Sequence, residues 1–155
     1  VIPLMRQQGH GRIVNISSVA APVPIPFQAY YSAGKAAINA YTMALANELR
    51  PFGVTVCAVM PGDIKPGFTP ARHKIIDGDD IYQGRIGRSV HRMEHDEQTG
   101  IEPSKVGRYI AAVASREGSH HPLYATRIDY KFFVFLTKVL PARFLNWLIY
   151  QLYGK

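Results

Sequence analysis

In the first part of the chain, the apolar residues form two short strand-like runs separated by one long helix-like stretch. Residues 12–16 are rich in β-branched side chains and predict a strand, and the nearly continuous apolar run at 54–60 predicts a strand covered on both faces. The alanine-rich stretch 28–50 predicts a helix, which ends because Pro51 disfavours helical backbone at the residue before it. Strand, helix and strand form a βαβ unit, in which the strands are parallel and the crossover is right-handed.

The pattern outside this unit is weaker but still divides into elements. Prolines mark extended segments, apolar side chains at helical spacing mark helices, and polar glycine-containing stretches mark loops. The remaining expected elements are the end of a helix at 1–8, a proline-containing loop at 19–27, a polar loop at 63–100 with one helix near 79–93, a helix at 103–115 and a last strand at 123–130.

Residues 131–155, called the tail below, are strongly apolar and aromatic. Pro141 divides the tail, and neither arm reaches the roughly 20 residues that a membrane span needs. We first interpret the tail as packing in the core or at a subunit interface. The alternative is a lipid-facing or apolar-substrate surface, because aromatic side chains beside lysine and arginine are typical of a peripheral membrane contact. The chain is therefore divided into residues 1–130 and the tail.

Length, charge and cysteine content limit the classes of protein to which the chain could belong. The 155 residues are enough for about one domain, and the net charge is +7. The basic residues are scattered, with no basic run interleaved with aromatics, so we expect no nucleic-acid partner. A single cysteine, Cys57, excludes an intrachain disulfide and favours a reducing, cytoplasmic location; its apolar surroundings predict an inert buried thiol. Because Val1 opens in the middle of a helical pattern, we expect a piece of a longer protein.

One pair of residues on the long predicted helix carries candidate chemistry. Tyr31 and Lys35 are four residues apart and therefore share a helix face. A phenol is a weak acid at neutral pH, but a cation held beside it favours the phenolate, which can exchange a proton with a substrate oxygen. The hydroxyl of Ser18, on the adjacent loop, can hydrogen-bond the same oxygen and polarise a carbonyl.

The spacing of Tyr31 and Lys35 is common on solvated helices, so its specificity depends on the surrounding sequence. Ser18 follows the first predicted strand, and Pro61-Gly62 follows the second. Both lie at the carboxyl ends of parallel strands, which is where open α/β sheets bind ligands. The conjunction of these three features predicts one site at one edge of the sheet.

Arg12-Ile-Val-Asn-Ile-Ser-Ser18, Tyr31-Ser-Ala-Gly-Lys35 and Pro61-Gly62-Asp-Ile64 together resemble the catalytic half of the short-chain dehydrogenase/reductase family. The resemblance implies an α/β, Rossmann-type fold with a doubly wound parallel sheet, of which this chain holds the C-terminal half. It implies hydride transfer between NAD or NADP and a carbonyl/alcohol substrate, which the apolar tail suggests is hydrophobic. It also implies a homodimer or homotetramer for the intact protein.

The resemblance also implies a role for each matching residue. Tyr31 would be the general acid/base, Ser18 would orient the substrate carbonyl, and Lys35 would support the tyrosine and bind the nicotinamide ribose. The cofactor-binding set that it implies is Tyr31, Lys35, Pro61, Gly62 and Ile64, the last through its backbone.

Two departures from the family pattern limit these expectations. The threonine expected five residues after Pro61 is Pro66, with Thr69 nearby. The glycine-rich loop that seats a pyrophosphate at a helix N-terminus and the family's upstream asparagine are both absent from these residues. We therefore expect the isolated 155-residue chain to bind a dinucleotide poorly and to be inactive, while the intact form is an NAD(P)-dependent enzyme.

Two other interpretations remain open. A non-catalytic remnant or binding module could keep the sheet without the cofactor. The segment His91-Arg-Met-Glu94-His95 matches the H-x-x-E-H pattern of a zinc site, but a catalytic zinc needs a third protein ligand, and the polar surroundings favour a solvated helix face. We therefore expect no metal.

Overall fold

The structure is a computed structural model, and it describes residues 1–65, 77–116 and 121–155. A 3₁₀ turn, Arg50–Phe52, follows the second helix, and a π-helical turn, Tyr150–Gly154, follows the last. The helices and strands are α1 (Ile2–Gln8), β1 (Gly11–Ile16), α2 (Ala29–Leu49), β2 (Val54–Met60), α3 (Arg85–Gln98), α4 (Pro103–Ala114), β3 (Leu123–Ala125), α5 (Ile128–Val139) and α6 (Ala142–Ile149).

The three strands form one parallel sheet in the order β1-β2-β3. β1 and β2 pair along six residues, from Gly11 opposite Val54 to Ile16 opposite Val59. The shorter β3 pairs with the end of β2. β2 is therefore central, and its side chains are buried at every position except Thr55, which is half-buried. A strand in this position needs apolar residues on both faces, which explains the unbroken apolar run.

Alternate residues of β2 serve two separate hydrophobic clusters. Val54 and Val56 pack with Leu45 and Leu49 of α2. Cys57 and Val59 point the other way and pack with Val113 of α4 and Tyr124 of β3. Helices thus cover both faces of a parallel sheet, which confirms the α/β, Rossmann-type prediction, here as a partial fold. The predicted burial of Cys57 is also confirmed, and burial raises the pKa of its thiol.

Gly53 makes the turn between α2 and β2 possible. Its φ angle is 69°, in the left-handed region that favours glycine. A β-carbon at Gly53 would also overlap the carbonyl oxygen of Gly9, which ends α1 with a φ of 73°. The two turns therefore lie against each other, and the close backbone contact requires glycine at position 53.

The helix predicted near 79–93 begins six residues later, as α3. Both oxygens of the Asp79 carboxylate accept backbone hydrogen bonds, from Ile86 at 2.8 Å and from Gly87 at 3.1 Å. Residues 83 and 84 have positive φ angles, which are incompatible with a continuous helix. The loop thus folds back so that Asp79 caps a helix that starts at Arg85.

The strand predicted at 123–130 was too long. β3 ends at Ala125, and Ile128 already begins α5. Asp129 lies in the first turn of α5, where a carboxylate interacts favourably with the helix dipole, and its Oδ1 accepts the N–H of Tyr130 at 2.9 Å. The tail is therefore helical, divided at Pro141 as its sequence predicts.

Candidate active site

Hydrogen bonds extend the pairing of β1 and β2 beyond the ends of both strands. The Ser17 N–H donates to the Val59 carbonyl at 2.8 Å, and the Val19 N–H donates to the Pro61 carbonyl at 3.0 Å. Ser18 lies between these two bonds and is buried. The structure therefore brings Ser18 and Pro61 together at the carboxyl edge of the sheet, as predicted.

The Ser18 hydroxyl is oriented by its own turn. Its Oγ accepts the N–H of Ala20 at 3.1 Å. An oxygen that accepts a hydrogen bond still carries its own proton, which it can donate to a second acceptor. The arrangement leaves Ser18 able to donate to a substrate oxygen.

Lys35 reaches from α2 back to the end of β1. Its Nζ donates to the Ile16 carbonyl at 3.0 Å and lies 5.7 Å from the centroid of the Tyr31 ring. The ammonium is therefore fixed at one point between the strand end and the phenol. Tyr31 is 49% exposed, so its side chain is open to a ligand. The adjacent Tyr30 is 97% exposed and has no lysine four residues after it.

Two buried hydroxyls that sequence reasoning missed hold α2 in position. The Ser17 Oγ donates to the carbonyl of Lys35 at 3.1 Å. The Ser32 Oγ accepts the N–H of Ile25 at 3.3 Å, so the loop preceding the helix is fixed by a residue next to Tyr31. The sequence carried a weak signal for the first, because Ser17 adjoins Ser18; nothing local distinguished Ser32 from the other small residues around the pair.

Asn15 supplies a further contact between the sheet and α2. Its Nδ2 donates to the Thr42 Oγ1 at 2.9 Å, and the Thr42 hydroxyl in turn donates to the carbonyl of Ile38 at 2.7 Å. Thr42 is fully buried. A satisfied buried network of this kind fixes the position of a helix more sharply than apolar contact alone.

Gly62 is covered by a side chain from a distant part of the chain. A β-carbon at Gly62 would overlap the ring of Tyr130. The Tyr130 hydroxyl accepts the N–H of Asp63 at 2.9 Å and donates to the Asp63 Oδ2 at 3.0 Å. Sequence reasoning missed Tyr130, because it lies 67 residues from Asp63 and no local pattern marks it.

Burial governs the ionisation of this contact. Burial raises the pKa of Asp63, although the hydrogen bond from Tyr130 acts in the opposite direction. Burial, together with the negative charge of Asp63, raises the pKa of Tyr130 to about 12. Tyr130 is therefore a neutral phenol at physiological pH, and it holds the Pro61-Gly62 segment as a hydrogen-bonding partner.

Ile64 is held by a bridge to the segment before α4. The Ile101 N–H donates to the Asp63 carbonyl at 2.8 Å, and the Lys65 N–H donates to the Ile101 carbonyl at 2.9 Å. In a parallel bridge of this type, the N–H and C=O of the central residue, Ile64, point away from Ile101. The backbone of Ile64 thus faces the side opposite this bridge. Pro66 and Thr69 lie outside the described residues.

α3 covers the loop that leads to Tyr31. Gln28 Nε2 donates to the sulfur of buried Met93 at 2.6 Å, and the Arg85 guanidinium lies 5.9 Å from the Phe27 ring centroid. One side of α3 is therefore a wall of the region around the candidate site.

The pattern His91-x-x-Glu94-His95 lies on α3. A cavity of about 320 Å³ is lined by Arg88, His91, Arg92 and His95. Two guanidinium groups beside the imidazoles disfavour a bound cation. Within residues 1–65, 77–116 and 121–155, no group of three or more His, Cys, Asp or Glu side chains could hold a metal ion.

Comparisons with known proteins bear on the family and the fold of the chain. The sequence model of the family described as short chain dehydrogenase matches residues 1–77. The chain is 36% identical over 150 residues to a 3-ketodihydrosphingosine reductase of Bacteroides thetaiotaomicron, covering 96% of this chain and 53% of that protein. It thus spans about half the length of such relatives.

Solved structures resemble the fold as well. A short-chain dehydrogenase from Streptomyces avermitilis superposes with a TM-score of 0.70 at 27% identity, covering 90% of this chain and 51% of that one. A 3-oxoacyl-[acyl-carrier protein] reductase from Brucella melitensis, solved with bound NAD, superposes with a TM-score of 0.54 at 26% identity, covering 79% of this chain and 42% of that one.

Proposed function

The chain belongs to the short-chain dehydrogenase/reductase family, and on that premise we propose that it provides the catalytic residues of an NAD(P)-dependent oxidoreductase. The reaction is hydride transfer between the nicotinamide cofactor and a carbonyl/alcohol substrate. In this proposal residues 1–130 are the C-terminal catalytic half of the reductase domain, and residues 131–155 form a separate apolar tail.

The observation that carries the proposal is the position of the Lys35 ammonium. It is bound to the Ile16 carbonyl at 3.0 Å and lies 5.7 Å from the Tyr31 ring. In this proposal the ammonium favours negative charge on the phenol oxygen in the reacting complex. Tyr31 would then donate a proton to the substrate oxygen during reduction and remove it during oxidation.

Ser18 would provide a second hydrogen bond to the same substrate oxygen. Its Oγ accepts the N–H of Ala20 through a lone pair and still carries its own proton, which it can donate. A donor that is oriented before the reaction stabilises negative charge on the oxygen without further rearrangement. Ser18 and Tyr31 would together polarise a carbonyl.

The residues at the sheet edge fit a nicotinamide nucleotide. The Lys35 ammonium has three protons, of which the Ile16 carbonyl takes one, so further donors remain for ribose hydroxyls. The backbone of Ile64 points away from its bridge, and Pro61 and Gly62 lie beside it at the strand end. When bound, NAD or NADP would supply or accept the hydride. The preference of the protein for NAD or NADP depends on contacts to the 2′ position of the ribose.

The substrate that we propose is a ketone with an apolar portion, or the corresponding alcohol. The reductase from Bacteroides thetaiotaomicron is named for a keto compound, 3-ketodihydrosphingosine. The tail presents exposed aromatic side chains, which add apolar surface to the protein. We also propose a homodimer or homotetramer that uses α2, where Tyr41 and Met43 are exposed.

Replacing Lys35 tests the proposal. In the natural protein that carries this chain, Lys35→Met should lower turnover about a hundredfold or more and raise the KM for the cofactor. Lys105→Met, on the exposed side of α4, is the matched control and should keep wild-type values. Thermal unfolding followed by circular dichroism shows whether Lys35→Met still folds. A folded Lys35→Met protein with wild-type turnover would contradict the proposal.

A non-catalytic binding module is the second candidate. Such a module would keep the sheet without seating a pyrophosphate, and the 155 residues themselves hold no G-x-G-x-x-G pattern. We therefore expect calorimetry with the isolated chain to detect weak dinucleotide binding or none, and no turnover. Turnover by the natural protein, lost on Lys35→Met, would eliminate the non-catalytic candidate.

A further inference from the structure

α5, the helix that leads into the tail, carries an apolar stripe that faces solvent. Four side chains of α5 recur at the spacing i, i+4, i+7 and i+11, which places them on one side of the helix. Such a stripe normally marks the buried side of a helix. Here each of its members is more than half exposed: Ile128, Phe132, Phe135 and Val139.

α6 continues this exposed apolar surface with aromatic rings. Phe144 and Trp147 stack with centroids 5.8 Å apart, and both are about half exposed. Tyr150, one turn further along, is also exposed. Tryptophan and tyrosine combine an apolar ring with a polar group and are enriched where a bilayer meets water.

The charge of the tail has a single sign. From Ile128 to Lys155 the sequence contains four basic residues and one acidic residue, Asp129, which lies before the tail and forms an ion pair with Arg127. Lys131 and Lys138 are seven residues apart, so they lie on the same side of α5, next to the apolar stripe. Apolar side chains bordered by lysines complement a bilayer surface that carries anionic headgroups.

The tail is fixed to the rest of the molecule at both ends. Tyr130, the residue immediately before the tail, is hydrogen-bonded to Asp63, and the Tyr153 hydroxyl near the other end donates to Asp96 Oδ2 at 3.0 Å. Burial and the charge of Asp96 raise the pKa of Tyr153, so this phenol remains a donor. Ile149 is buried on the inner side of α6. The segment that carries the stripe is therefore held at both ends, and α6 has a buried inner side, whereas no residue of α5 is buried.

A second copy of this chain is a poorer occupant of the same surface. In a twofold dimer the same patch lies on both subunits. Two basic tails would then face each other, and like charges in contact oppose association. A surface of opposite charge meets no such repulsion.

We propose that residues 128–152 form a docking surface for a membrane that contains anionic lipid, with α5 and α6 lying along the interface. α5 has 12 residues and spans about 18 Å, short of a hydrocarbon core of about 30 Å. Among the described residues, no helix is both long and apolar enough to cross a membrane. Because Tyr130 contacts Gly62 and Asp63, the surface begins beside the candidate active site.

Vesicle flotation of the full chain tests docking without any reference to turnover. The wild type should float with phosphatidylcholine vesicles that contain phosphatidylglycerol and much less with phosphatidylcholine alone. Phe132→Ser with Phe135→Ser should weaken binding about a hundredfold, because two phenyl groups no longer enter the interface. Leu4→Ser with Ile81→Ser removes two apolar side chains outside the tail that are at least as exposed, and this variant should bind as the wild type does.

A second variant and its control test how much the lysines of α5 contribute to vesicle binding. Lys131→Gln with Lys138→Gln should weaken binding to the anionic vesicles about thirtyfold at low salt, from about 1 kcal/mol for each lysine near an anionic surface. Lys105→Gln with Arg108→Gln, on the exposed side of α4, is the control. Thermal unfolding checks that every variant folds.

Two results would overturn the proposal. One is equal vesicle binding by the wild type and the phenylalanine variant. The other is the absence of binding to anionic vesicles by the folded wild type. A dimer in analytical ultracentrifugation that the phenylalanine variant abolishes would then assign the surface to a second copy. Docking is separable from the proposed reaction, since the Lys35→Met protein should float as the wild type does.

Discussion

The βαβ unit of residues 11–60 buries the apolar side chains of its central strand, whereas the tail exposes many of its own. In the unit, β2 is covered on both faces, and Ala58 and Val59 have no exposed surface. In the tail, Phe132 and Trp147 are more than half exposed. The unit also orders polar groups: the bond from Lys35 to Ile16 and the network around Thr42 join α2 to β1. The βαβ unit thus uses buried apolar side chains to position the candidate active-site residues, whereas the tail keeps apolar surface available for contact.

A leucine-to-alanine substitution should change the free energy of unfolding very differently in the two regions, and this is the largest effect that we expect. Leu49 is 4% exposed and packs in the α2 cluster, whereas Leu152 is 47% exposed. Leu49→Ala should lower the free energy of unfolding by about 2–5 kcal/mol. Leu152→Ala should change it by less than about 0.5 kcal/mol. Urea denaturation measures both, and equal effects would mean that the tail is packed as tightly as the sheet.

The turn that closes the βαβ unit should be the next most sensitive feature. Gly53→Ala places a β-carbon at a positive φ angle and against the Gly9 carbonyl, which should cost about 1–3 kcal/mol. Gly107→Ala, within α4 and with open space around it, should instead stabilise the protein by up to about 1 kcal/mol. Denaturation curves that shift in the same direction for both variants would refute this account of the turn.

Tyr130, immediately before the tail, contacts Gly62 and Asp63 just after the βαβ unit, and its ionisation should appear in the pH dependence of stability. Its pKa is raised to about 12 in the folded protein, above a reference value of about 10 for an unfolded chain. A raised value means that the stabilisation is complete below about pH 10 and is lost as pH rises toward about 12. After discounting for solvent screening, the loss should be about 1 kcal/mol.

Tyr130→Phe is the variant that isolates this contribution. It keeps the ring against Gly62 but removes the hydroxyl, so its stability should fall less between pH 10 and pH 12 than that of the wild type. The difference between the two pH curves cancels contributions from other tyrosines, such as Tyr153. Identical curves would show that the contact between Tyr130 and Asp63 does not form.

The sequence was informative where structure follows from nearby residues. The apolar run of β2, the stop at Pro51 and the order of strand, helix and strand were enough to place Ser18 and Pro61 at one sheet edge. The bond from Lys35 to Ile16 is consistent with that placement because both belong to the same unit.

The features that the sequence did not predict depend on contacts between residues far apart in the chain or on a loop residue that caps a helix. Tyr130 meets Asp63 across 67 positions, and no periodicity reports such a contact. Asp79 caps α3 from a preceding loop, so the start of the helix was predicted too early. The outward direction of the stripe on α5 was equally hidden, since its spacing is that of an ordinary buried face.

The central claim is that Tyr31 is the residue that exchanges a proton with the substrate, and its neighbour provides the control. Tyr31→Phe and Tyr30→Phe remove the same hydroxyl from adjacent positions, of which only the first has Lys35 beside its ring. The decisive measurement is the single-turnover rate of ketone reduction by the natural protein carrying each change. The account predicts a loss of about 10² to 10⁴ for Tyr31→Phe and a wild-type rate for Tyr30→Phe. A wild-type rate for a folded Tyr31→Phe protein would contradict it.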